Sequence, residues 1–111
     1  VPGGILKKET EAIIGQKAAE FISEMNFTLG FFGTNGISFD VGFSTPDIEE
    51  GMIKQKAFEK SRERYILSDS SKFDKICSFS FGNYKDGIII TTSNIKEKYR
   101  NSRNTLLVDK L

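Results

Sequence analysis

The sequence predicts an α/β domain, a mainly parallel sheet flanked by helices, and three observations predict it. Short apolar runs at Leu29–Phe32, Tyr65–Leu67 and Ile88–Ile90 have the length of strands and are bounded by turn residues. Segments with helical periodicity or helix-start chemistry separate them. The two kinds alternate along the whole chain without an internal repeat, as right-handed crossovers between parallel strands require.

Taken in order, Gly3-Gly4 before Ile5-Leu6 suggests a tight turn and the end of a short strand, and Glu9, Thr10 and Glu11 place acids where a helix start is stabilised by them. Ile14, Ala18, Phe21, Ile22 and Met25 form one apolar stripe, with Gln16, Lys17, Glu20 and Glu24 facing outward, so this helix is expected to cover a flat apolar surface. Leu29-Gly30-Phe31-Phe32, ended by Gly33, reads as a strand buried on both faces. From Asn35 to Thr45 the chain is rich in Gly, Ser, Asp and Asn, with Phe39 and Phe43 spaced through it, and reads as a long excursion above the sheet.

Thr45-Pro46-Asp47 predicts a helix start, with threonine at the cap and proline at the first helical position, and the helix is expected to run to about residue 61. Its inner face is expected to carry Ile48, Met52, Ile53, Ala57 and Phe58. Tyr65-Ile66-Leu67 is the next strand, stopped at Ser68-Asp69. Cys77 to Phe81 alternates aromatics with serine, Gly82-Asn83 turns, and Gly87 to Thr92 is another buried strand. Ser93-Asn94 is placed to cap a short polar helix over residues 95 to 102, and Leu106-Leu107-Val108 closes the sheet.

A chain of 111 residues, 38% apolar and 28% charged, makes one small domain, residues 1–111, that buries roughly two-thirds of its unfolded surface. Its formal charge of +1 gives no electrostatic reason to expect nucleic acid or an acidic membrane on this segment. No apolar run approaches the roughly 18 residues of a membrane span. The single cysteine, Cys77, lies in an apolar stretch and reads as a buried thiol in a reducing cytoplasm. The opening Val1-Pro2-Gly3-Gly4, without methionine, reads as the middle of a longer polypeptide.

With no histidine and one cysteine, a Ser-His-Asp triad, a histidine-bound metal and a thiolate zinc site are excluded, and neither a phosphate-binding loop nor a dinucleotide fingerprint appears. What remains lies at strand ends, where ligands of parallel sheets bind. Gly33-Thr34-Asn35-Gly36 leaves one strand and Ser68 to Phe73 leaves another, so both should lie on the same edge of the sheet. Lys72 beside Ser70 and Ser71 has the cation, hydroxyls and loop N–H groups of an anion site; Asp69 and Ser70 making a plain turn, with Lys72 solvated, is the alternative. Glu50 and Lys54, four apart, form a helical ion pair. Lys96, Lys98, Arg100 and Arg103 form a basic run broken by Glu97, read as a solvated helix face.

Six segments in order resemble the effector-sensing domain of DeoR-type bacterial transcription regulators: Gly3-Gly4; Ile13-Ile14-Gly15; Phe31 to Ile37; Gly42 to Thr45 with Glu50 and Lys54; Asp69 to Phe73; and Ile89-Ile90-Thr91. The resemblance implies a fold like that of ribose-phosphate isomerases and coenzyme A transferases, truncated on its N-terminal side. It also implies a sensor without turnover or cofactor, responding to a phosphorylated sugar or sugar-derived metabolite. It places Thr34, Asn35 and Gly36 around the ligand, Glu50 and Lys54 on the helix closing the cleft, and Asp69, Ser71 and Lys72 as the characteristic polar cluster, with Lys72 on anionic oxygen. Operator DNA would be met through a helix-turn-helix lying before Val1, in a cytoplasmic homo-oligomer with no membrane contact. A sugar-phosphate isomerase on the same fold is the alternative. The chain departs from the family pattern at Thr28, Ser38 and Thr92, where aspartate is usual, and at Asp74, where glycine is usual.

Overall fold

In a computed structural model, residues 14 and 16–110 are described; the turn and strand at Gly3 to Leu6, the acids at 9–11 and the segment Ile13 and Gly15 lie outside them. Helix α1 (16–23) leads into β1 (Phe27–Gly33), β2 (Gly36–Ser38), β3 (Gly42–Thr45), α2 (Ile48–Lys60) and β4 (Ser61–Leu67). A single turn of 3₁₀ helix (Ser70–Lys72) precedes β5 (Phe79–Gly82), a second 3₁₀ turn (Tyr84–Asp86), β6 (Ile88–Thr91), α3 (Glu97–Arg100) and β7 (Thr105–Leu107).

The expected parallel sheet is present, with four strands in the order β1-β4-β6-β7, every neighbouring pair parallel. That order advances in one direction, so right-handed connections all fall on one face. There Phe32, Ile66 and Ile89 meet Phe58 of α2, Phe43 and Phe81, and Tyr99 of α3 in one apolar cluster. On the opposite face no described element covers the sheet: Leu29 and Phe31 of β1, Leu67 of β4, Ile88 of β6 and Leu106 of β7 are exposed. Register sets Phe31 beside Tyr65 and Tyr65 beside Ile88, and the first two rings stack with centroids 5.3 Å apart. The expectation that β1 is buried on both faces is therefore corrected. Among the described residues it is an edge strand with one covered face, and only Phe32 of its apolar run is buried. The stripe expected on α1 is also only partly covered, since Phe21 is 62% and Ile14 60% exposed while Ala19 is the buried position.

The stretch from Asn35 to Thr45 is not a loose excursion. It contains the hairpin β2–β3, which joins β5 in a second, antiparallel sheet of three strands. Alternation explains it: Ile37 and Phe43 pair across the hairpin and are both fully buried. An isolated parallel bridge between Ile37 and Phe73 fastens this hairpin to the segment that follows β4.

Asp47, rather than Thr45, caps α2, its carboxylate accepting the Glu50 N–H at 3.2 Å, so Pro46 stands outside the helix and Thr45 ends β3. That bond from the Glu50 backbone is the main reason the Asp47 carboxyl titrates below its ordinary range. Of the expected inner face, Phe58 is buried, Met52, Ile53 and Ala57 are half-buried, and Ile48 is exposed. Gly51 faces the Phe79 ring at a point where a side chain would collide. The helix expected over 95–102 shrinks to Glu97–Arg100, without a side-chain cap, because Ser93 turns instead to the Asp109 carboxylate at 2.7 Å. Cys77 is half-buried, not enclosed. No helix of the described residues is long and apolar enough to cross a membrane.

Candidate functional site

Strands β1, β4 and β6 run parallel, so the segments that leave them emerge at one end of the sheet, and Gly33 lies beside Leu67 in register. The two polar clusters expected on one edge are on one edge. At the end of β1, the Lys54 ammonium donates to the Gly33 carbonyl at 2.9 Å and pairs with Glu50 at 2.9 Å. The Lys54 side chain is only 20% exposed, with its nitrogen 5.3 Å from the centre of the Phe81 ring. Helix α2 thus lays a cation over the mouth of β1.

The residues after Gly33 divide by role. Thr34 is buried and its hydroxyl is spent on the turn, donating to the Gly36 carbonyl at 2.8 Å. Asn35 is exposed; its N–H donates to the Ser44 carbonyl at 3.0 Å and its side-chain oxygen accepts from Thr45 at 3.3 Å. Gly36 was expected to let a ligand approach, but what lies against it is protein: an added Cβ would meet the Lys75 carbonyl and sit 2.7 Å from the Ser44 hydroxyl. Among the described glycines Gly33 is the one with free space, because a Cβ there meets nothing within 4 Å. Its place at the carboxyl end of an apolar strand is the sequence signal that singles it out.

At the end of β4, Asp69 caps the 3₁₀ turn Ser70–Lys72. One carboxylate oxygen accepts from the Ser71 N–H at 2.8 Å and also from the Ser71 hydroxyl. Those bonds, the hydroxyl's first, hold the Asp69 carboxyl below the ordinary range, aided by the charges of Lys72 and Lys75. Asp69 and Ser71 therefore build the turn as the plain-turn alternative requires, yet the turn presents Lys72. Among the described residues the half-buried Lys72 has no carboxylate within ion-pair distance. No hydrogen bond or ion pair links the Glu50–Lys54 pair directly to the Asp69–Lys72 turn; they are joined through hairpin β2–β3 and the Ile37–Phe73 bridge.

Two further residues hold the ledge and were not among the expected site residues. Asn94, beyond β6, donates its side-chain amide to Ser70 at 3.0 Å, joining the third strand end to the second. Asp74 lies within hydrogen-bonding distance of Lys96 at 2.5 Å, accepts from the Tyr99 hydroxyl at 2.6 Å, and has Lys98 at 3.4 Å. Lys98 also lies over the Tyr99 and Phe39 rings, so the basic run is not simply a solvated face. A separation of 25 residues between Asp74 and Tyr99 leaves no local pattern from which to read their contact. The larger hollows, such as one of about 460 Å³ lined by Phe39, Asp40, Tyr84 and Lys85, lie away from this ledge.

Chemically, the ledge offers two lysines, an exposed asparagine and the open backbone of Gly33. That set suits the recognition of an anionic, hydroxyl-bearing molecule.

The family model for the DeoR C terminal sensor domain matches residues 1–94. The uncharacterized HTH-type transcriptional regulator FruR of Bacillus subtilis is 41% identical over 90 residues, 81% of this chain and 36% of that protein. The lactose phosphotransferase system repressor of Staphylococcus epidermidis is 34% identical over 97 residues, 86% of this chain and 38% of that protein. The glycerol-3-phosphate regulon repressor of Haemophilus influenzae is 28% identical over 109 residues, 96% of this chain and 42% of that protein. The chain spans about two-fifths of the length of these relatives.

Proposed function

The chain belongs to the family of DeoR C-terminal sensor domains, the effector-sensing part of transcription regulators, and from that premise we propose that it binds a phosphorylated sugar or related metabolite on the ledge where β1 and β4 end. The observation that carries this reading is the pair of lysines there: Lys54, fixed over the Gly33 carbonyl, and Lys72, half-buried and without an ion-pair partner among the described residues. Lys72 meets anionic oxygen, Asn35 and the space over Gly33 receive the sugar, and Glu50 keeps Lys54 in place. Thr34, Gly36, Asp69 and Ser71 shape the two turns that carry these groups. The names of the relatives, which speak of a lactose phosphotransferase system and of a glycerol-3-phosphate regulon, support a sugar-related effector.

In this reading residues 1–111 form one domain of the ribose-phosphate isomerase and coenzyme A transferase type, used for sensing without turnover in a cytoplasmic homo-oligomeric repressor. Operator DNA is contacted by a helix-turn-helix elsewhere in the regulator. A thermal-shift screen of phosphorylated sugars tests it: ligand at 100 times its Kd stabilises by about 2.7 kcal/mol when it binds the folded state alone. A hit that the protein converts to product overturns the sensor reading in favour of an isomerase, and silence across a broad panel overturns the ligand.

A further inference from the structure

We propose that Asp74 is a positioning residue of this ledge, fixing the turn that carries Lys72 by clamping its outgoing end to α3. The inference rests on the reading that Lys72 meets an anionic ligand.

The turn is poorly held by its own backbone. Its two internal hydrogen bonds, Lys72 N–H to Asp69 and Phe73 N–H to Ser70, are both 3.4 Å, long for amide bonds. The Asp69 carboxylate closes the entry of the turn on the Ser71 N–H at 2.8 Å, which leaves its exit, after Lys72, to be held from outside. Asp74, two residues beyond Lys72, has a φ of 63°, in the left-handed region that non-glycine residues enter only at a cost. Such a conformation persists where the surroundings over-determine it. Here they do so from two sides. The Asp74 N–H donates to the Ile37 carbonyl at 2.8 Å, tying the segment to the hairpin. Its carboxylate takes the Tyr99 hydroxyl at 2.6 Å and Lys96 at 2.5 Å.

Tyr99 gives the clamp a packed anchor, because it is fully buried and its ring stands edge-on to Phe73 with centroids 4.9 Å apart. The clamp therefore grips both residues that follow Lys72. At the incoming end, Asn94 holds Ser70 at 3.0 Å. Lys72 sits between two anchors, and the stronger is a side chain inserted at a backbone position where glycine would be free of strain.

The test compares the intact chain with Asp74→Gly and Asp74→Asn. Glycine keeps the backbone conformation and removes the clamp; asparagine keeps an acceptor for Tyr99. Amide ¹⁵N relaxation at Ser71, Lys72 and Phe73 is expected to give order parameters near the rigid value of about 0.85 in the wild type, falling toward about 0.6 in Asp74→Gly and recovering in Asp74→Asn, while Ile66 and Ile89 stay rigid. An unchanged turn in Asp74→Gly overturns the proposal, and so does loosening that spreads equally to Ile66 and Ile89, since that marks a general loss of stability. Inorganic phosphate titrated into the wild type and Lys72→Ala tests the underlying reading separately. Phosphate binding that ignores Lys72→Ala, or is absent, sinks that reading while the relaxation result still decides the role of Asp74. A loss of phosphate affinity in Asp74→Gly that persists in full in the Lys72→Ala background shows that Asp74 does not act through Lys72 and also overturns positioning.

Discussion

Lys54 of α2 donates its ammonium proton to the carbonyl oxygen of Gly33 at 2.9 Å, so the helix that crosses from the second sheet to the first is tied to the mouth of the edge strand. Replacing Lys54 with methionine keeps the apolar stem over Phe81 and removes the donor, and is expected to cost about 1.5–3 kcal/mol in urea unfolding, the range for a lost charge-assisted bond. Glu50→Gln, which breaks only the half-exposed ion pair, should cost a few tenths of a kcal/mol, roughly what such helix pairs contribute. The opposite ranking would show that the ion pair, not the strand cap, is what holds Lys54.

The two glycines flanking Thr34 and Asn35 should separate on substitution. Gly33→Ala places a methyl group in open space, so stability should move by less than about 1 kcal/mol while affinity for the effector falls. Gly36→Ala drives a methyl group against the Lys75 carbonyl and Ser44, and should destabilise by about 1–3 kcal/mol, typical of overpacking. Thermal unfolding with and without ligand reads both, and a Gly33→Ala protein with unaltered affinity would move the ligand off β1.

Lys72→Ala should leave stability within about 0.5 kcal/mol of the parent, as for surface side chains without a partner. Effector affinity should fall roughly 10- to 100-fold, the equivalent of one charge-assisted hydrogen bond. Calorimetric titration gives the number; equal affinities would remove Lys72 from the site.

Acid should dissolve the clamp at Asp74. Bonding first by Lys96, then by the Tyr99 hydroxyl, holds its carboxyl well below the ordinary value, so the folded state binds fewer protons than the unfolded chain. Its contribution is therefore complete above about pH 4, near the unfolded pKa, and is lost as the pH falls toward the folded one. The stability gap between the parent and Asp74→Asn should shrink on acidification below about pH 4. A gap that widens would refute the assignment. Asp47, Asp69 and Asp109 are shifted in the same direction and add to the acid sensitivity.

A parallel sheet that exposes Leu29, Phe31, Leu67, Ile88 and Leu106 on one face is expected to self-associate. Sedimentation should show the mass of the wild-type chain rising with concentration, and Phe31→Glu, at a residue 61% exposed, should hold it nearer the monomer without unfolding it. A wild-type chain that stays monomeric at high concentration would show that the face tolerates water.

Much of the first sheet was legible because its strands are short apolar runs and α2 carries a strong start signal. The second sheet was not. Its strands are three or four residues long and rich in glycine and serine, so Ile37 and Phe43, which alternate correctly, were outweighed by loop composition. Burial on one face alone was hidden too, since the run Leu29 to Phe32 reads the same whether one side or both are covered. The ledge was legible as two strand ends brought to one edge, whereas the Asp74–Tyr99 contact arises only when distant elements meet. The same holds for Asn94 and Ser70. Gly36 misled because a glycine needed for a backbone neighbour looks, in sequence, like one needed for a ligand.

The bridge between Ile37 and Phe73 is parallel and isolated, so its alignment rests on few backbone bonds, the Asp74 N–H to the Ile37 carbonyl among them. Side chains alternate along extended chain, and a slip of one residue would carry Lys72 or Asp74 to the place of Phe73, against Tyr99 and Ile37. Moving either charge into that apolar surrounding costs several kcal/mol. The charges on either side of Phe73 therefore disfavour misalignment of the very segment that carries Lys72.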